Sequence, residues 1–190
     1  MHKGRLEAFR DGVIAIIITI MVLELRVPHG DEWSDLIPLI PVFISYVLSF
    51  ANVGIYWNNH HHMLQAVHHV NGAVLWANLH LLFWLSLMPF VTAWMGENHF
   101  ATQPVILYGI DLMMCAVAYT ILAEILLRLE GEDSEFARAV GNAAKERGSL
   151  VAYIAAVVLA LFAPLMSLAI YFGVALVWFI PDRRFERTVK

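Results

Sequence analysis

The chain has 190 residues, of which 60% are hydrophobic and only 15% charged, with six tryptophans and a formal net charge of -4. Such a composition lies outside the soluble globular range and marks a polytopic membrane protein. The single cysteine, Cys115, excludes a disulfide framework and a cysteine metal site. With 12 basic against 16 acidic residues there is no excess positive charge for a nucleic-acid partner.

Six apolar stretches follow one another, most of them near the roughly 20 residues that a ~30 Å hydrocarbon core requires. The first, about residues 6–25, opens with Arg5, Glu7, Arg10 and Asp11 and then turns apolar around Thr19. It lacks a small-residue cleavage site, so it is expected to be retained as a span rather than removed as a signal peptide. The second covers about 36–60, with Pro38 and Pro41 in its opening turns, where proline is tolerated. The third covers about 73–95 and the fourth about 105–127. The fifth and sixth, about 149–163 and 165–180, are divided by Pro164 and read as one bent helix or a tight hairpin of two short spans.

Charge by side orders these segments. With six spans, Lys3, Arg5, Arg10, Arg128, Arg138, Lys145, Arg147, Arg183, Arg184, Arg187 and Lys190 all fall on the cytoplasmic side and only Arg26 outside, a split of 11 to 1. Five spans would put the basic tail outside. The expected fold is an all-α, multi-pass integral protein of the cell membrane, one six-span unit over residues 1–190, with both termini cytoplasmic.

On a 3.6-residue helix Ile16, Ile20 and Leu23 form one stripe of the first span, with Thr19 beside it. Two readings are open. The stripe packs on neighbours or lipid, with Thr19 bonding the Ala15 carbonyl four residues back, or it lines a pathway. The histidines raise a second question. His60, His61 and His62 are consecutive, so they point in three directions on a helix, and with His68, His69 and His80 they have no acidic or cysteine partner at ligand spacing. Metal or bis-His haem binding therefore ranks below interfacial or hydrogen-bonding roles. Glu124 has Arg128 at i+4 as its partner, whereas Asp111 has none within a turn and is expected against a neighbouring helix or an aqueous vestibule. A proton-coupled transporter is the main rival to a channel, but no inverted repeat or pair of broken helices is evident.

The words around the stripe narrow the choice. Arg5, Phe9, Asp11 and Gly12 spell R-x-x-x-F-x-D-G, which resembles the R-x-x-x-F-S-D signature of the transmembrane protein 175 potassium channels. The stretches "YWNNHHHML", "LWANLHLLFWLSLMPFVTAWMGE" and "FAPLMSLAIYFGVALVWFIPDRR" extend the resemblance along nearly the whole chain. It implies a six-span subunit of a homotetramer whose first helices surround a potassium-preferring pore. Ile16 would be the inner constriction, Thr19 a polar ring, Leu23 the outer apolar ring, and Ile20 part of the same lining. No TVGYG-like carbonyl filter is present, which fits a hydrophobic constriction that discriminates by diameter and wetting. The resemblance also implies that Arg5 and Asp11 are buried among the first three helices, with Trp57, His60, His61, Trp76 and Asn78 as available partners, although Arg5, only about 20° from Ile16 in projection, equally fits the lining of the inner mouth. Arg10 replaces the family serine and, about 120° from Ile16 on the wheel, is expected on a flank or snorkelling. No enzyme activity and no cofactor beyond permeant potassium ions are expected.

Overall fold

The computed structural model describes residues 3–67, 69–131, 134, 136–137 and 144–179. Among these are six α-helices: α1 (Lys3–Leu23), α2 (Ile40–Gln65), α3 (Gly72–Glu97), α4 (Thr102–Glu130), α5 (Ala144–Ala160) and α6 (Pro164–Phe179). His68, Arg138 and the basic tail from Arg183 to Lys190 lie outside the described residues. α3, α4 and the run Trp33–Gln65 are each long and apolar enough to cross a membrane.

The helix limits differ from the apolar runs for local reasons. A 3-10 helix, Trp33–Leu39, precedes α2, and its start is fixed by a reciprocal capping box in which the Glu32 amide donates to the Asp35 carboxylate at 3.1 Å. Proline at the start of α2 then costs no helical hydrogen bond. Asn71 caps α3 by accepting from the Val74 amide at 3.0 Å. Pro164 divides the last apolar stretch completely. α5 stops at Ala160, a turn over residues 161–163 follows, and Pro164 opens α6, so the hairpin alternative is the observed one.

α3 is the central helix, packing on α1, α2 and α4. Its buried side chains, from Val74 through Leu81, Leu85 and Met88 to Met95, are spread over more than one face, as expected of a helix covered on several sides. A chain of buried hydroxyls joins three helices. Thr92 of α3 lies 2.6 Å from Ser49 of α2, and Ser49 lies 3.0 Å from the Tyr108 hydroxyl of α4. Behind them α5 and α6 close the bundle, with Tyr171 packed against both Tyr108 and Tyr153.

α1 packs mainly on α3 and α2 and buries one stripe, Leu6, Arg10, Ile14, Ile17 and Met21. The steps of four, four, three and four residues keep that stripe on one side of the helix. Lys3 ties the start of α1 to the end of α2 by donating to the carbonyls of Gln65 at 3.0 Å and Val67 at 3.1 Å. A cation at a helix C-terminus also meets the negative end of the helix dipole.

Where the end of α3 crosses the start of α2, contact is backbone to backbone. A methyl group on Gly96 would stand 2.7 Å from the Val42 Cα and 3.3 Å from the Pro41 carbonyl. Gly96→Ala must therefore push the two helices apart. A loss of about 1–3 kcal/mol is expected for such overpacking, lowering the melting temperature in detergent by about 2–4 °C per kcal/mol. Gly173→Ala, which meets nothing within 4 Å, should leave it unchanged or raise it. Equal melting curves for the two variants would show that the close crossing is not needed.

Candidate ion pathway and its polar anchor

The two long faces of α1 have different surroundings. Its inner stripe is covered by α2 and α3, whereas Ile16 is 59% exposed, Ile20 41% and Leu23 79%, in a helix whose buried positions fall to 1–3%. Thr19 is exposed on the same side, and its hydroxyl donates to the Ile16 carbonyl at 2.9 Å. The back-bond runs three residues back rather than the four to Ala15. Ile16, Thr19, Ile20 and Leu23 thus form one uncovered, mostly apolar face with a single hydroxyl.

Behind this face lies a polar knot. Arg10 is only 1% exposed. Its Nε and Nη2 donate to Asp11 Oδ1 at 3.1 and 2.7 Å, and the Trp57 indole donates to the same oxygen at 2.9 Å. The knot therefore joins α1 to α2 through one carboxylate atom that accepts three charge-assisted or indole hydrogen bonds. The Trp57 ring stacks on His61 at 5.9 Å, with an interplanar angle of 14°.

This arrangement corrects several expectations. The buried arginine is Arg10, not Arg5: within one protomer Arg5 is exposed, about 20° from Ile16 in projection, so it continues the uncovered face. Arg10 neither snorkels nor sits on a flank. Four residues after Leu6 and four before Ile14, it occupies the middle of the buried stripe, and that spacing is the signal that places it. Asp11 is half-exposed, at 49%, rather than buried. Trp76 is 76% exposed and stands apart from the knot. His60 and Asn78 are both buried, but neither side chain has a hydrogen-bond partner among the described residues.

The remaining polar candidates fall elsewhere. His80 accepts from the Trp84 indole at 3.0 Å, one turn away on α3. Among the described residues no three His, Cys, Asp or Glu side chains converge as metal ligands. Glu124 lies 3.5 Å from Arg128, the i+4 pair that the spacing predicts, and both are exposed. Asp111 is 2% exposed, with neither carboxylate oxygen hydrogen-bonded among the described residues. It lies in the interior of the bundle, not on an open vestibule.

The comparisons with known proteins point to one family. Residues 5–89 match the family described as the endosomal/lysosomal potassium channel TMEM175. A potassium channel of Chryseobacterium sp. (strain P1-3) is 55% identical over 190 residues, covering 100% of this chain and 99% of the relative. The human endosomal/lysosomal proton channel TMEM175 is 32% identical over 116 residues, which are 55% of this chain and 23% of that protein. The fold is similar to the crystal structure of a lysosomal potassium-selective channel TMEM175 homolog from Chamaesiphon minutus. The two share 27% identity and a TM-score of 0.83 over 94% of this chain and 96% of that one.

Arg10 is buried and has no protein partner for its Nη1 among the described residues, so removing Asp11 would strip it of its counter-charge. Breaking a buried ion pair from one side costs about 3–5 kcal/mol. Asp11 is half-exposed, so the lower end of that range is expected for Asp11→Ala. The measurement is a thermal melt in detergent, with size-exclusion to follow the state of assembly. Arg5→Ala, on the open face, should melt as the parent does. A larger loss for Arg5→Ala than for Asp11→Ala would reverse the assignment.

Proposed function

Since this chain belongs to the TMEM175 family of potassium channels, we infer that it is a potassium-preferring cation channel whose pore is lined by α1. In this reading four copies surround a central axis, each spanning the membrane six times with both termini cytoplasmic. The observation that carries the reading is the uncovered face of α1. A helix with a buried arginine and an ion-paired aspartate at its start is anchored as scaffold on one side, yet its opposite apolar face has no partner within the protomer.

Ile16 is the constriction. A ring of branched aliphatic side chains excludes water by dewetting unless it is wide enough, and its diameter sets how much hydration a cation must lose. Thr19, one turn further out, offers hydroxyl oxygens to an ion that has left part of that shell. Leu23 and Ile20 extend the apolar lining. At the outer end the carbonyls of α1 point into the mouth, and the negative end of the helix dipole favours cations there. Glu24, Asp31, Glu32 and Asp35 follow closely and deepen the same field.

Asp11 is not part of this lining. It lies about 140° from Ile16 in projection and turns toward α2, where Trp57 holds it. Its role is to fix the rotation of α1. Arg5 stands at the inner end of the open face and sets the charge of the inner mouth.

A second reading is proton conduction, favoured by the human relative, which is described as a proton channel. Reversal potentials separate the two. Under a potassium gradient at equal pH, a potassium-preferring pore reverses near the potassium potential, whereas a proton pore follows the pH gradient instead. The test of the constriction is Ile16→Asn. A wider, wettable ring should raise conductance and weaken discrimination between potassium and sodium. Unchanged reversal potentials in mixed-ion bilayer recordings would remove Ile16 as the selective element.

A further inference from the structure

Two opposite charges, Glu24 and Arg26, stand two residues apart just beyond the end of α1. In the proposed topology Arg26 is the one Lys or Arg on the outer side. An arginine at that point repels cations where they enter and offsets the carboxylate beside it. From the sequence alone the two charges cancel.

The structure separates them. Arg26 Nη2 lies 2.7 Å from Glu97 Oε1, at the end of α3. Glu97 is held in place because its neighbour Gly96 is in backbone contact with the start of α2. Glu24 is exposed and has no ion-pair partner among the described residues. Its amide bonds to the Ile20 carbonyl at 3.3 Å, so it still follows the last turn of α1. Four residues after Ile20, it points about 40° away in projection and continues the uncovered face outward. Glu24, Arg26 and Glu97 line one open depression together with His99, so their charges act on the same volume of solvent.

Both members of the Arg26–Glu97 pair are exposed, at 78% and 41%, and such a contact adds little to stability. Its consequence is electrostatic. A lone charge is felt over a Debye length, ~10 Å at ~0.1 M salt and ~30 Å at ~0.01 M, whereas the field of a neutral pair falls off faster. We propose that Glu97 sets conductance by acting through Arg26. It shields arriving cations from the guanidinium and leaves Glu24 as the uncompensated charge that concentrates them at the outer mouth. The proposal rests on the reading of α1 as the pore helix, in which every subunit repeats this unit around the axis.

The test is single-channel potassium conductance in symmetric potassium chloride at constant pH. The parent is compared with Glu24→Gln, Glu97→Gln and the double variant Arg26→Gln/Glu97→Gln. At ~0.01 M salt Glu24→Gln and Glu97→Gln should each lower conductance by at least about two-fold. Both losses should vanish at ~1 M, where the Debye length is only ~3 Å. The double variant has lost no net charge and should conduct as the parent does at either salt. A merely structural tie between α1 and α3 gives a different pattern, in which the double variant stays as low as Glu97→Gln and the deficit persists at high salt. That pattern overturns the shielding role. A loss in Glu24→Gln with none in Glu97→Gln also overturns it, but keeps α1 in the pore. If no variant alters the conductance at low salt, the outer end of α1 is not beside the ion path, and the pore reading falls with the proposal.

Discussion

One ionised side chain sets the geometry of the subunit. Arg10 lies in the apolar interior between α1 and its neighbours, where an uncompensated guanidinium costs several kcal/mol. Asp11 compensates it from the next position along the same helix, and Trp57 fixes Asp11 from α2. Adjacent residues on a helix point about 100° apart, so the pair marks two directions: Arg10 toward the core and Asp11 toward α2. With both directions fixed, α1 has no rotational freedom left. The face bearing Ile16, Thr19, Ile20 and Leu23 must then point away from the bundle. A single polar knot therefore determines which side chains the helix can present to an axis.

This explains how a helix with charges in its first turns can stand at the edge of a membrane bundle. Charge is tolerated in a span where it is paired and faces protein or water. Arg10 meets the first condition and is enclosed. Arg5 has no such enclosure within the protomer, and its direction coincides with that of Ile16, so in the proposed channel it meets water at the inner mouth. In the proposed channel the division is one of labour between neighbours in sequence: one arginine locks the helix, the other belongs to the pathway.

Much of the architecture was legible in the sequence because the apolar runs and the prolines act locally. Pro164 breaks the last stretch, Asn71 caps α3, and Glu124 finds Arg128 one turn away. The stripe of α1 was also legible as a stripe, but periodicity alone does not say which face is covered. Arg10 shows where the reading failed. Its position relative to Ile16 was correctly about 120° off, yet a cation at a membrane edge was assigned to the surface by its chemistry rather than to the interior by its register with Leu6 and Ile14. Trp76 was misplaced for the complementary reason, since sequence proximity to Asn78 says nothing about the opposite faces that positions two apart occupy on a helix. The partners of Ser49, Thr92 and Tyr108 are 43 and 59 positions apart in pairs, and no local pattern announces contacts of that range.

The close crossing at Gly96 and the hydroxyl chain through Ser49 serve the same end from one side of α3, since Thr92 and Gly96 stand one turn apart against α2. Backbone contact at the end of α3 leaves little slack between α2 and α3, and the buried hydroxyls fix the sliding of α2, α3 and α4 past one another. In lipid, where apolar surfaces gain little by associating, close approach and buried polar contacts are what hold helices together. A constriction made of side chains rather than backbone carbonyls needs such rigidity. A carbonyl filter sets its own diameter through its backbone, whereas the width of an isoleucine ring depends on where each helix stands. An error of a fraction of an ångström in the position of α1 is passed directly to the ring. In the proposed channel, the stiffness of α2, α3 and α4 is therefore as much a determinant of which ion passes as the side chain at position 16.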